Sequence, residues 1–282
     1  MKFALDSAEI FVPDGRPAAQ ALARTTHMAI AAHHDDIEGM ACDGILKCFR
    51  HHDRGFCGVV VTNGSRSPRS DLYKAYSDED MQAIRRQEQK KASIVGEYAA
   101  QVLLDHPSPS VKDSSNKTIV QDIRLLVQAA QPEVVYTHNL ADKHDTHVAV
   151  ALRVIEALRA LPAGQRPQRL YGCEVWRDLD WMVDADKVVF DCSAHESLQA
   201  ALLGIFDSQI GGGKRYDLAT MGRRRANATY YASHDVDMAT GLSFAMELTP
   251  LIQATELAPA AFVREFIERF AQDVTARLAK LA

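Results

Sequence analysis

The 282-residue sequence is most restrictive in what it lacks. No stretch approaches ~18 apolar residues without a charge, so no membrane span is expected. The opening residues, MKFALDSAEIFVPDG, put Asp6 and Glu9 where a secretory leader needs an unbroken apolar run. Cys42, Cys48, Cys57, Cys173 and Cys192 form no CxxC pair, and their number is odd. Reduced, mostly buried thiols of a cytoplasmic protein fit that usage better than a disulfide framework. Basic excess is missing too: the formal net charge is −5, which leaves no field to draw in nucleic acid or an anionic membrane. There is no repeat, no low-complexity tract and no linker.

What is present is the composition of an ordinary globular protein, 47% apolar and 24% charged, on a chain long enough to bury a large core without staples. Strand and helix patterns alternate. His27–Ala32 is a short apolar run, and Phe56–Thr62 (FCGVVVT) is the clearest buried strand, closed by Asn63-Gly64. Gln101–Leu104 is a weaker strand, Glu133–Thr137 a fourth, Leu170–Val175 a fifth and Lys187–Asp191 a further candidate. Helical spacing falls on Gly39–Phe49, on a charged stretch from Ser77 to about Ala100, and on Thr118–Ala130, His144–Leu161, Glu196–Asp207 and Ala260–Leu281. His106–Lys117, Ser65–Tyr76 and Gly211–Thr240 read as loops. Such alternation predicts an α/β, Rossmann-like, mostly parallel sheet with helices on both faces, in a single domain over 1–282. Ligands of such sheets bind beyond the carboxyl ends of the strands.

Two polar clusters fall at that edge. One is Ala32-His33-His34-Asp35-Asp36-Ile37-Glu38, after the first apparent strand. The other is Asp142-Lys143-His144-Asp145-Thr146-His147, after the fourth. A His-rich turn is by itself an ordinary solvated loop, and an isolated HxxH is common on helix surfaces. The two together supply two His, one Asp and a spare carboxylate, a set suited to metal-assisted hydrolysis. His144 and His147, three residues apart at a helix start, share a face.

AHHDDIEGMACDGIL resembles the pattern AHPDDIExGCGGTL of the PIG-L/LmbE-like deacetylases, and DKHDTH resembles that family's DxHPDH. Val61-Thr62-Asn63-Gly64, the run Arg85-Arg86-Gln87-Glu88 with Ala92 and Gly96, and Asp207-Ser208-Gln209 are similar to its TxG, RxxExxxAxxxG and Ser-Gln segments. The resemblance spans about residues 27–210. It implies a zinc-dependent N-deacetylase acting on a small N-acetylglucosamine-like conjugate, with a homo-oligomer as a reasonable state. Carried over by position, it implies His33, Asp36 and His147 as Zn2+ ligands, Asp35 as general base, and a protonated His144 as oxyanion stabiliser.

The sequence departs from the pattern at His34, which replaces proline, and at Asp145-Thr146, which replaces Pro-Asp. His34 is then an alternative ligand, a neighbour of the ligands or a substrate-facing group. Asp142 or Asp145 would have to orient His144. Arg223-Arg224-Arg225 with Lys214 and Arg215 would bind a substrate anion or form a solvated helix face. His234, after Tyr230-Tyr231, belongs to the sugar pocket or to a surface loop, and Trp176 and Trp181 stack on a sugar or pack in the core. Two competing functions remain. A hydrolase of phosphoesters would need more carboxylates, for two metals. A non-catalytic sugar-binding module would lack Asp35 or a ligand.

Overall fold

FCGVVVT shows no polar alternation, which requires a strand covered on both faces. In the computed structural model, which describes residues 1–282, this segment is strand β3 (Phe56–Thr62) and is buried along its whole length. The other strands are β1 (Glu9–Phe11), β2 (His27–Ala31), β4 (Ala100–His106), β5 (Val134–His138), β6 (Arg169–Cys173), β7 (Val188–Asp191) and β8 (Leu242–Glu247). They form one eight-stranded sheet in the order β1-β4-β3-β2-β5-β6-β8-β7. The five central strands, β4 to β6 in that order, are parallel. β1 closes one edge antiparallel to β4, and β8 runs antiparallel to both β6 and β7 at the other. The expected mostly parallel α/β sheet is therefore the observed one.

Side chains of β2 alternate between two apolar layers, as a period of two requires. Met28 and Ile30 face the helices Thr118–Ala130 and Asp145–Arg159, whose Ile123, Leu126, Val150 and Val154 fill the larger layer. Ala29 and Ala31 face Ile37, Met40 and Ile45, with Leu202 and Phe206 beyond. The five cysteines are buried and free. No helix is long and apolar enough to cross a membrane.

Some local expectations are corrected. The edge strand β1 and the strand β8, which lies between β6 and β7, escaped the reading of the sequence, and the weak strand at Gln101–Leu104 extends over Ala100–His106. His106–Lys117 contains a short helix, Ser108–Lys112, and half of Gly211–Thr240 is the helix Tyr216–Tyr230 rather than a loop.

The chain leaves β2 toward β3 on one side, and β5 pairs on the other side of β2. That reversal is the topological switch point, where the strand ends leave a crevice. The two His/Asp clusters follow β2 and β5 and so flank it.

Candidate metal centre and active-site cleft

The turn after β2 is tight. Asp35 sits at φ 94°, in the left-handed region, and the helix Asp36–Met40 begins directly behind it. Asp and Asn tolerate that region better than most residues, at a cost of about 1–3 kcal/mol. Asp36 closes the turn: its Oδ2 accepts the His33 N–H at 2.7 Å. The same oxygen lies 3.1 Å from His33 Nδ1 and 3.3 Å from His147 Nε2, and those two nitrogens are 3.2 Å apart. Donors at ~2.0–2.1 Å around a tetrahedral ion lie about 3.3 Å from one another, so this triangle has the size of one face of such a site.

His147 lies in the first turn of the helix Asp145–Arg159, and its Nδ1 meets Asp142 Oδ2 at 3.1 Å. A carboxylate there fixes the Nδ1–H tautomer and turns the Nε2 lone pair inward. Asp142 thus orients His147 instead of His144. It also accepts the backbone N–H groups of His144 and Trp176 at 3.2 Å each, while Asp145 is exposed. His138, stacked on His147 with ring centres 3.9 Å apart, can be set aside as a donor. Its Nε2 already accepts the Ala32 N–H at 2.8 Å. His144 stacks on the outer side of His147 at 4.5 Å and meets His33 edge-on at 5.0 Å. Its ring could complete a three-imidazole set with His33 and His147, but its Nδ1 is buried without a partner and Asp36 fits the triangle more closely.

Charge favours a cation at this point. Burial opposes ionisation of Asp36, yet the His147 and His33 imidazoles outweigh it and hold its carboxyl well below the usual range. Burial likewise lowers His147, but Asp36 and Asp142 overcome it and raise the imidazole to about 9. Two buried carboxylates on one imidazole pair therefore call for positive charge, which protons or a metal ion would supply. His144 behaves oppositely: burial, then His147 and His33, lower it to about 4. At that value it carries no proton near pH 7, in contrast to the protonated His144 that the resemblance implies.

Beside the triangle opens a cleft of about 530 Å³ lined by His33, Asp35, Asp36, His144, Trp176 and Tyr216, among others. Asp35 Oδ1 is 3.6 Å from the Arg85 guanidinium, and Oδ2 is buried without a hydrogen-bond partner. Burial, reinforced by Asp36 and Glu38 and opposed by Arg85, raises its pKa well above the carboxylate range. Arg85, from the helix Asp78–Val95, also donates to the His34 carbonyl at 2.6 Å, the Gly64 carbonyl at 3.2 Å and Ser67 Oγ at 2.5 Å. One turn on, Glu88 accepts from the backbone N–H of Ser208 at 2.7 Å and from its hydroxyl at 2.6 Å. The separate motif segments thus meet on one helix, which clamps both the His34-Asp35 turn and the Ser208-Gln209 segment.

His34 turns away from the triangle. Both ring nitrogens are buried without partners, and the ring packs so close to Gly64 that a methyl there would come within 2.9 Å of Nδ1. It is neither a ligand nor a substrate-facing group. Glu38 also points inward, accepting from Gln89 at 2.9 Å and from the Tyr98 hydroxyl at 2.8 Å. Burial outweighs those bonds and pushes its carboxyl up to about 7. The folded state therefore keeps a proton that the unfolded chain loses above its ordinary value of 4.5, and stability falls as pH rises from there toward 7. Glu38→Gln should remove a loss on the order of 3 kcal/mol across that window. Urea unfolding at about pH 5 and about pH 7.5 reads it, and an unchanged pH slope in the variant would contradict the assignment.

The arginine cluster divides. Arg224 is buried and donates to Gln199 Oε1 at 2.8 Å and to the Glu38 and Gly39 carbonyls at 2.8 and 3.1 Å. Arg225 is exposed and pairs with Glu196, while Arg223 donates to the Val175 carbonyl and lines the cleft. Arg224→Met should cost about 2–4 kcal/mol, because it leaves carbonyls at the end of the Asp36–Met40 helix unpaired. A loss under ~0.5 kcal/mol in chemical denaturation would show that the bonds carry no stability. Trp176 reaches the cleft, but Trp181 packs on Phe270 at 6.2 Å. His234 is exposed and does not line the cleft. Tyr216, Arg66 and Gln89 were not singled out from the sequence. Tyr216 and Arg66 come from stretches read as loops, where no periodicity marked them, and Gln89 from a charged helix where its burial left no signal.

Residues 28–158 match the model of the PIG-L family, described as GlcNAc-PI de-N-acetylase. No curated protein matches the chain by sequence. Among solved structures, the N,N'-diacetylchitobiose deacetylase from Pyrococcus horikoshii is similar at TM-score 0.57 and 15% identity, over 77% of this chain and 82% of that one. A deacetylase of teicoplanin biosynthesis is similar at TM-score 0.57 and 15% identity, over 78% and 98%. The 4-carboxy-2-hydroxymuconate hydratase of Pseudomonas putida is similar at TM-score 0.55 and 16% identity, over 78% and 95%. At such identities the likenesses speak to the fold, which both deacetylases and a hydratase use. The family assignment rests on the matched segment, which carries both His/Asp clusters: residues 28–158 of this chain belong to the PIG-L family.

Proposed function

We propose that the protein is a zinc-dependent N-deacetylase that removes the acetyl group from an N-acetylglucosamine-like conjugate. The observation that carries this reading is the 3.1–3.3 Å triangle of His33, Asp36 and His147, with Asp35 lining the cleft beside it and its Oδ2 unpartnered. Support for the substrate class comes from the family's description as a GlcNAc-PI de-N-acetylase and from the two deacetylases of like fold. Zinc held by the three residues would act as a Lewis acid and make water more acidic. Asp35 takes up a proton at Oδ2 as water adds to the amide carbon, and returns it to the departing amine. His144, kept neutral, donates a hydrogen bond to the acyl oxygen as its charge grows. Trp176 offers an aromatic wall for the sugar. We read 1–282 as one unit, because a single sheet takes strands from both ends of the chain, and the five free buried cysteines favour a cytoplasmic setting.

The test combines metal analysis with release of free amine from N-acetylated sugars. The expected result is one zinc per chain, lost in a His33→Ala, His147→Ala double variant. Full metal content in that variant would refute the ligand set. Absence of amine release together with hydration of an unsaturated acid would favour the chemistry of the hydratase of like fold.

A further inference from the structure

The cleft is larger than the hydrolysis of an acetamide requires, and part of its wall is apolar. Its volume of about 530 Å³ lies in the range that encloses a drug-sized ligand, roughly 300–1,000 Å³. The helix Tyr216–Tyr230 forms one wall. Tyr216, Ala219, Thr220, Arg223 and Arg224 line the cleft at the spacing of one helix face. The helix Asp36–Met40 lines it from another side with Asp36 and, one turn on, Gly39. A methyl added at Gly39 would meet only the Thr220 hydroxyl oxygen, at 4.0 Å. The two helices therefore face each other through small residues and leave a gap. Leu203, Phe206 and Ile210 border the same cleft from the helices Glu196–Gly204 and Asp207–Ile210 and the turn between them, and both helices pack on Tyr216–Tyr230. Arg224 stands at this end too, but its guanidinium is engaged by Gln199 Oε1 and by the Glu38 and Gly39 carbonyls. Gly39, Ala219, Thr220, Leu203, Phe206 and Ile210 thus offer a ligand apolar surface and a single hydroxyl.

This surface begins close to the reacting atoms, because Gly39 is three residues from Asp36, about 4.5 Å along the helix axis. A trigonal amide carbon sends its nitrogen, with the sugar, and its acyl chain in different directions. The sugar hydroxyls need polar partners, and Tyr216, Lys214 and Arg66 supply them around Trp176. Against Leu203, Phe206 and Ile210 those hydroxyls would lose water without compensating bonds. An alkyl chain has no such cost and gains from the burial.

Resting on the deacetylase reading, we infer that the gap between Gly39 and Ala219 is an acyl-chain subsite, and that the preferred substrate is an amino sugar N-acylated by a chain longer than acetyl. The amide C–N bond is still the one that breaks. Water gives its hydroxyl to the acyl carbon and a proton to the nitrogen, and the products are the free amine and a longer carboxylate.

The probes are glucosamine carrying N-acetyl, N-butyryl, N-hexanoyl or N-octanoyl groups, and the hexyl glycoside of N-acetylglucosamine. With zinc-loaded protein, kcat/KM for amine release should be at least about tenfold higher on the best longer chain than on acetyl, each buried methylene contributing up to about fourfold. Ala219→Phe fills the gap and should cost at least about tenfold on the hexanoyl compound while leaving the acetyl compound within about twofold. Gly39→Leu, from the facing helix, should lower the ratio of hexanoyl to acetyl rates in the same way. A wild-type rate highest on acetyl, or a chain-length profile unchanged in both variants, would overturn the subsite. A gain on the hexyl glycoside that Ala219→Phe abolishes, with no gain on longer acyl chains, would put the aglycone in the gap and overturn it equally. If no compound releases amine, the deacetylase reading fails separately. Calorimetric binding of the N-acetyl and N-hexanoyl compounds then decides the subsite: tighter hexanoyl binding that is lost in Ala219→Phe upholds it, and equal binding overturns it.

Discussion

Asp35→Asn is expected to lower kcat by about 10²–10⁴ while metal content and folding stay at the wild-type level. Several local features separate these outcomes. Asparagine has the size of aspartate and accepts the left-handed conformation that the chain adopts at φ 94°, so the turn survives. The Asp35 N–H that meets Gln89 Oε1 at 3.3 Å is backbone and is retained. Asp36, the proposed ligand, is anchored by the His33 N–H and not by Asp35. What disappears is a proton acceptor at Oδ2, an atom with no other partner. Burial and the neighbouring carboxylates raise the Asp35 pKa against the pull of Arg85. A base of that kind works only once deprotonated, so the acid limb of kcat/KM should lie above the ordinary carboxylate range in the wild type and vanish in the variant. Near-normal kcat for Asp35→Asn would assign proton transfer to another group lining the cleft, such as His144.

Legibility of the fold followed how local its signals were. β3 is an apolar run with both faces covered, and the helix Thr118–Ala130 has a 3.6-residue stripe, so each is written in consecutive residues. β8 is not: LSFAME becomes a strand by pairing with Cys173 and Val188, more than fifty residues away in sequence. The same holds at the site. The two clusters could be placed at one sheet edge, because each follows a strand end. Spacing alone could not distinguish His144 from His147, which share a helix face and stack at 4.5 Å. The difference lies in the second nitrogen: His147 gives its Nδ1 to Asp142, and the Nδ1 of His144 has no partner. His34 looked like a spare ligand until Gly64 and Arg85, from separate elements, enclosed it. The cleft wall of Trp176, Lys214 and Tyr216 joins segments some forty residues apart, one of them a stretch that carried no periodic signal.

His144→Ala tests that distinction and should lower kcat by about 10²–10³ with zinc affinity nearly unchanged. The ring borders the cleft beside His33, at 5.0 Å, and leans on Trp176 at 5.8 Å, where the acyl oxygen of a bound substrate would lie. With its pKa lowered to about 4, first by burial and then by the two neighbouring imidazoles, it would enter the proposed reaction as a neutral donor. A neutral donor contributes most when the acyl oxygen carries full negative charge, so the loss should appear in kcat more than in KM. The neutral state also means that His144 brings no titration of its own between about pH 5 and 8, so His144→Ala should scale the pH–rate profile down without moving its limbs. A shifted alkaline limb would show that the imidazole is protonated in the working enzyme. A different ligand geometry would appear directly in the metal. If His144 completes a three-imidazole set with His33 and His147, then His144→Ala sheds zinc and Asp36→Asn keeps it. If instead the unusual Asp145-Thr146 pair has exchanged the two histidines, zinc is retained on His147→Ala and lost on His144→Ala. The 3.1–3.3 Å triangle predicts the reverse of both, with zinc lost on His147→Ala and on Asp36→Asn and kept on His144→Ala.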